Sequence, residues 1–161
     1  PIMIMIVGLI IFTLGTMTWL YGKVRGYKII DFWIYRFSRH PQYLGFILWS
    51  YGLLILAAIT PSPRGGYIPP PSVLWLISTL AIIGLALNEE NSLIEEYGEE
   101  YLRYRDKAPF MIPLPKIFTK LLMAPARFLF GWSMPKHRRG IVGILTFYGI
   151  ILILPSIPII L

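Results

Sequence analysis

The sequence predicts an all-α, polytopic transmembrane protein with about four spans, on three observations. Of its 161 residues 56% are hydrophobic and only 14% are charged, and the mean hydropathy is +0.65, far from the balance of an ordinary soluble domain. The apolar residues come in separate runs of roughly 20, the length that crosses a bilayer at about 1.5 Å per residue. The basic residues gather beside these runs, as the positive-inside rule expects of a membrane chain.

Each element follows in order. Residues 1–21 form span 1, uncharged from Pro1 to Tyr21 and lacking the basic start and small-residue cleavage site of a signal peptide. The start at Pro1 rather than methionine leaves room for residues upstream. A cytosolic loop, 22–40, carries Lys23, Arg25, Lys28, Arg36 and Arg39. Span 2, 41–60, opens on Pro41, whose missing N–H costs little in a first turn. An external loop, 61–71, holds Pro61, Pro63, Gly65, Gly66 and the Pro69-Pro70-Pro71 run, with Arg64 as its one charge. Span 3 covers 72–88.

Residues 89–115 form a cytosolic segment. Seven of the eight acids lie between Glu89 and Asp106, interleaved with Arg103, Arg105 and Lys107, which predicts a polar helical extension of span 3. Its Glu99/Arg103 pair stands at i and i+4, and Tyr97, Tyr101 and Tyr104 share roughly one face. The stretch from Ala108 to Pro115 stops it. Residues 116–139 read as an interfacial basic segment, with Lys116, Lys120 and Arg127 snorkelling beside Phe118, Leu121, Leu122, Phe128 and Trp132. Span 4, 140–161, has prolines at 155 and 158 that kink or end it. The whole is one membrane-embedded domain.

Composition also excludes. With no cysteine there are no disulfides, thiolate metal sites or cysteine nucleophiles. His40 and His137 are far apart in sequence, so no metal site is expected. The net charge of +7 belongs to span ends and anionic lipid head groups, not to nucleic acid.

Two polar motifs stand out against the apolar background. In Arg39-His40-Pro41-Gln42-Tyr43-Leu44-Gly45, proline fixes the backbone, glycine permits close approach, and His40 and Tyr43 present polar groups around one turn. A plainer reading makes Arg39 a phosphate anchor, Tyr43 part of an aromatic belt and His40 a helix cap. Glu89 and Glu90 follow the apolar Leu85-Ala86-Leu87 and Asn88, where carboxylates suit a cationic ligand or ribose hydroxyls, or else form a solvated turn beyond the membrane. Two crossings return the chain to its starting side, so residues 40 and 90 belong to one membrane face.

The ordered set Arg39-His40-Pro41-x-Tyr43-x-Gly45, Glu89-Glu90-x-x-Leu93, Tyr97-Gly98-x-x-Tyr101-x-x-Tyr104-Arg105 and Pro109-Phe110-x-x-Pro113 resembles the isoprenylcysteine carboxyl methyltransferase and phospholipid methyltransferase superfamily. The likeness covers roughly residues 20–115. It implies a cytosol-facing pocket for S-adenosylmethionine, with a lipophilic acceptor entering from the membrane between helices. It implies that His40, Tyr43, Gly45 and Glu90 contact the cofactor, with Glu89 and Leu93 nearby. For an acidic acceptor it assigns Arg105 first and Arg103 second as the orienting cation, while Arg103 is equally readable as half of the surface pair with Glu99. The leading expectation is carboxyl O-methylation of a prenylcysteine-like substrate. A phospholipid amine N-methyltransferase, an NADPH-dependent sterol reductase-like protein and a non-enzymatic membrane subunit are the alternatives.

Overall fold

The computed structural model describes residues 1–60, 72–113 and 138–153. Its elements are helices α1 (Ile2–Val24), α2 (Pro41–Ile59), α3 (Ser72–Tyr97), α4 (Glu99–Lys107) and α5 (Arg138–Ile153), with a 3₁₀ turn at Trp33–Arg36 between α1 and α2. Helices α1, α2 and α3 are long and apolar enough to cross a membrane. Even the shortest, at 19 residues, rises about 28 Å. Their outward residues are large and apolar, Ile2, Met3, Leu9, Leu20 and Leu74 among them, which suits lipid and would be unfavourable in water.

Among the described elements, helices α1 and α2 make the most extensive contact, an antiparallel hairpin built on glycine. A Cβ on Gly8 would lie 2.5 Å from the Trp49 amide nitrogen, and one on Gly45 would press against that of Phe12. Backbone meets backbone there, because neither glycine carries a side chain. Gly15 faces Gln42, and Gly52 faces Met5, so the contact runs along both helices. Small residues permit this approach, which dispersion between apolar helices in lipid needs.

Helix α3 attaches to the hairpin more lightly. Trp75 Nε1 donates to Ser50 Oγ at 3.0 Å, and the Tyr51 and Trp75 rings lie 5.1 Å apart. On its other side α3 packs against α5, where Gly84 meets Leu145 and Leu80 meets Gly149. The described part of α5 has 16 residues, fewer than a span requires. The rest of the expected span 4, the external loop 61–71 and nearly all of the interfacial segment 116–139 lie outside the described residues.

One expectation needs correction. The polar segment after span 3 is two helices, not a single extension. Helix α3 runs past residue 88 to Tyr97, and the chain then turns at Gly98, whose φ of 53° and ψ of −126° lie where only glycine sits readily. The expected Glu99/Arg103 ion pair is also absent among the described residues. The turn folds α4 back so that Tyr101 and Tyr104 are buried with Tyr35 and Ala108, against Ile30, Ile34, Leu93 and Ile94. Tyr104 Oη donates to the Tyr35 carbonyl at 2.8 Å. This small core fastens the loop after α1 to α4 and holds residues 38–40 beside the end of α3.

Two outcomes test this packing. Gly45→Ala is expected to cost about 1–3 kcal/mol because its Cβ meets backbone, whereas at Gly84 the nearest atom is the Leu145 Cδ1 tip and the cost is smaller; thermal melting in detergent compares them. Burial pushes the Tyr35, Tyr101 and Tyr104 phenols far above their ordinary value of 10.0. A raised folded-state value means their stabilising contribution is complete below about pH 10 and is lost as pH climbs further. In an alkaline titration at constant detergent, these phenols should ionise only together with loss of helical circular dichroism.

Candidate functional site

Pro41 starts α2, so His40 stands at its N-cap position and Arg39 just outside. His40 makes no capping hydrogen bond, which removes the helix-cap reading. Its ring turns instead toward α3. After the chain has crossed and returned, α3 brings Glu89 and Glu90 to the same level, and the two carboxylates diverge because neighbouring helical residues point about 100° apart.

Glu90 points inward. It is 2% exposed, and Arg39 and His40 are 7% and 6% exposed. Arg39 Nε donates to Glu90 Oε1 at 2.6 Å and Nη2 donates to Oε2 at 3.2 Å, the forked geometry that matches guanidinium to carboxylate. Its remaining nitrogen, Nη1, donates to the carbonyls of Arg105 and Ala108, each at 2.7 Å. Those carbonyls end α4, where helical acceptors lack partners and the dipole favours a cation. The Arg39 amide donates to Pro109 O at 3.0 Å, and the Phe110 ring lies 5.8 Å from the guanidinium. Arg39 is therefore the joint between α2, α3 and α4, not an exposed phosphate anchor.

Glu89 points outward, with its side chain 48% exposed. Tyr43 Oη donates to Glu89 Oε2 at 3.3 Å, and His40 Nδ1 is 3.7 Å from the same oxygen. His40 Nε2 lies 3.3 Å from Glu90 Oε1, so the imidazole stands between the two carboxylates. Tyr43 stacks on His40 at 5.6 Å, and Phe110 meets His40 edge-on at 5.1 Å. The outcome is a polar face with an acceptor-rich carboxylate, a phenol and aromatic surfaces. Ser38 Oγ is buried nearby in sequence and has no hydrogen-bond partner among the described residues.

Beside Tyr43 an apolar groove of about 360 Å³ runs between the spans. Phe12 and Thr16 of α1, Gln42, Tyr43 and Phe46 of α2 and Ile82 of α3 line it. Tyr43 thus belongs both to the polar face and to the groove.

The expected site residues divide. His40, Tyr43, Glu89 and Glu90 come together. Gly45 faces α1 in the glycine contact, and Leu93 packs in the tyrosine core. Arg105 reaches the cluster through its backbone carbonyl, while Arg103 lines a different cavity with Lys28 and Lys107. The motif side chains touch directly, so no ligand fits between His40 and Glu90 without parting them. Sequence reasoning does not place Arg39 among the site residues, although a signal for it exists. A carboxylate at the edge of an apolar span needs a named partner, and that rule applied to Glu90 leads to Arg39.

Over residues 2–108 the chain matches the family described as "Protein of unknown function (DUF1295)", and it belongs to that family. It is 33% identical over 84 residues to a protein-S-isoprenylcysteine O-methyltransferase of Schizosaccharomyces pombe, covering 50% of this chain and 31% of the relative. It is 32% identical over 94 residues to the protein of that name from Xenopus laevis, covering 58% and 30%. It is 33% identical over 81 residues to methanethiol S-methyltransferase 1 of Bradyrhizobium diazoefficiens, covering 50% and 24%. The aligned stretch is thus less than a third of each of these relatives. No solved structure matches the chain significantly.

The Arg39 joint yields one test. Arg39→Ala leaves a buried carboxylate without its cation and is expected to cost about 3–5 kcal/mol. Arg39→Leu combined with Glu90→Leu removes both charges and should be less damaging than Arg39→Ala alone, as read by thermal melting of the three proteins in one detergent.

Proposed function

We propose that this chain is an S-adenosylmethionine-dependent methyltransferase that modifies a lipophilic acceptor at the cytoplasmic face of a membrane. The observation that carries this is the meeting of two chemistries at Tyr43. A polar, partly aromatic face lies on one side of it, and an apolar groove between spans lies on the other. The relatives named as methyltransferases support the reading, and the loop charges support a cytoplasmic orientation.

The donor supplies a methyl group on a positively charged sulfonium. The residues present fit such a ligand: Glu89 offers exposed acceptors for ribose hydroxyls or for positive charge, and His40, Tyr43 and Phe110 offer ring surfaces. Glu90 acts through the others, because Arg39 and His40 already occupy its oxygens. Gly45 and Leu93 position α2 and α3. The groove lined by Phe46 and Ile82 would hold the acceptor's apolar part and present its nucleophile at Tyr43. Positioning and water exclusion then supply much of the acceleration.

A carboxylate acceptor of prenylcysteine type needs no general base at neutral pH, and Arg105 is the cation proposed to orient it. A small thiol is the second acceptor reading. It is favoured by the relatives named methanethiol S-methyltransferase and by the groove lining, which carries no charged side chain. A thiol must lose its proton, and His40 and Glu89 are the groups proposed to take it.

Calorimetry of the purified chain with S-adenosylhomocysteine and with NADPH tests the cofactor. Binding of S-adenosylhomocysteine, weakened about tenfold or more by Glu89→Gln with the loss of charged hydrogen bonds, is the expected result; preference for NADPH overturns the proposal. Labelled methyl transfer to a prenylcysteine analogue, an alkanethiol and phosphatidylethanolamine then separates the acceptors.

A further inference from the structure

A second cavity, of about 500 Å³, lies between the loop after α1 and helix α4. Its chemistry differs from that of the groove. Lys28 of the loop and Arg103 and Lys107 of α4 line it, together with Asp31, Glu100 and Tyr27. Among the described residues none of these three cations is held in an ion pair, since those formed all involve Arg39 or His40. Three cations face two acids, so the cavity carries a net positive charge.

Its depth in the membrane is marked by aromatic residues. Tyr21, in the last turn of α1, stacks on Trp33 at 5.3 Å, and Tyr27 meets Phe32 at 5.2 Å. Trp33 is 60% exposed and is held at a φ of 50°, rare for a residue with a side chain. Exposed tryptophan and tyrosine at the end of a span sit at the level of the lipid head groups. Tyr27 belongs to this cluster and to the cavity wall, so the cavity opens at that level.

We propose that this cavity binds the phosphate of an anionic membrane phospholipid. Lys28, Arg103 and Lys107 supply donors and charge for the phosphate, and the aromatic cluster flanks the glycerol and upper acyl region. The proposal gives Arg103 a task separate from the acceptor, and it stands whether or not the chain transfers methyl groups. The anchoring surface is the outer side of the tyrosine core, so occupancy would brace α4 against the loop that leads to Arg39.

Native mass spectrometry of the full chain in neutral detergent tests this, with phosphatidylglycerol and phosphatidylcholine as probes and inorganic phosphate as competitor. The expected result is retention of phosphatidylglycerol at least about tenfold over phosphatidylcholine, with each of Lys28→Ala, Arg103→Ala and Lys107→Ala lowering it about fivefold. Glu100→Gln, which removes a negative charge from the same wall, should tighten binding severalfold; this variant keeps the test decisive if the alanine variants fail to fold. Equal retention of both lipids, or a preference that survives the combined alanine variant, overturns the proposal. Complete displacement by millimolar inorganic phosphate also overturns it, and assigns the cavity to a soluble anion.

Discussion

The rest of the structure depends on a charge that has left water. A carboxylate at 2% exposure, Glu90, carries a desolvation penalty of several kcal/mol unless a cation meets it with good geometry. Arg39 meets it with two hydrogen bonds, and its remaining nitrogen holds the end of α4. Such a pair contributes little net stability, since two apolar residues could fill the same space. Its effect is on arrangement. It fixes the height of α3 against the start of α2, and it fixes where α4 ends.

That arrangement separates two adjacent glutamates into two tasks. Glu90 is consumed by the scaffold, and Glu89 stays half exposed beside Tyr43. The ring of His40 lies between them and carries the position of one to the other. Next to this cluster the glycine contact of α1 and α2 makes a stiff base, because backbones in contact cannot slide without clashes. The more lightly held α3 borders the groove on its other side. The proposed acceptor would enter from lipid between this hairpin and the lighter third helix.

Much of this is legible in the sequence, and the gaps have physical reasons. Spans 1 to 3 are visible because an uncharged run of bilayer length, in a chain this apolar, is stable almost nowhere but in lipid. The C-terminal ends of spans 1 and 3 are less visible. Helix α1 continues through Lys23 and α3 continues through Glu96, since helicity does not stop where hydropathy does. The break at Gly98 is hidden by the tyrosine spacing, which suits one continuous face; the glycine itself is the signal for a turn. The seven-residue spacing of Gly8 and Gly15, matched by that of Gly45 and Gly52, is a readable sign of close helix contact. The motifs draw attention to His40 and Glu90 separately. Only the fold shows that the two touch, that Arg39 binds both elements, and that Arg103 and Arg105 stand in different places.

The central claim is that Arg39, His40 and Glu90 form a preassembled scaffold whose outer face, at Tyr43 and Glu89, is where a ligand is received. An experimental structure of the chain with bound S-adenosylhomocysteine measures this directly. The account predicts the Arg39 and Glu90 contacts intact, with the ligand against Glu89, Tyr43 and the ring of His40. A ligand lodged between His40 and Glu90, with that contact broken, would contradict it.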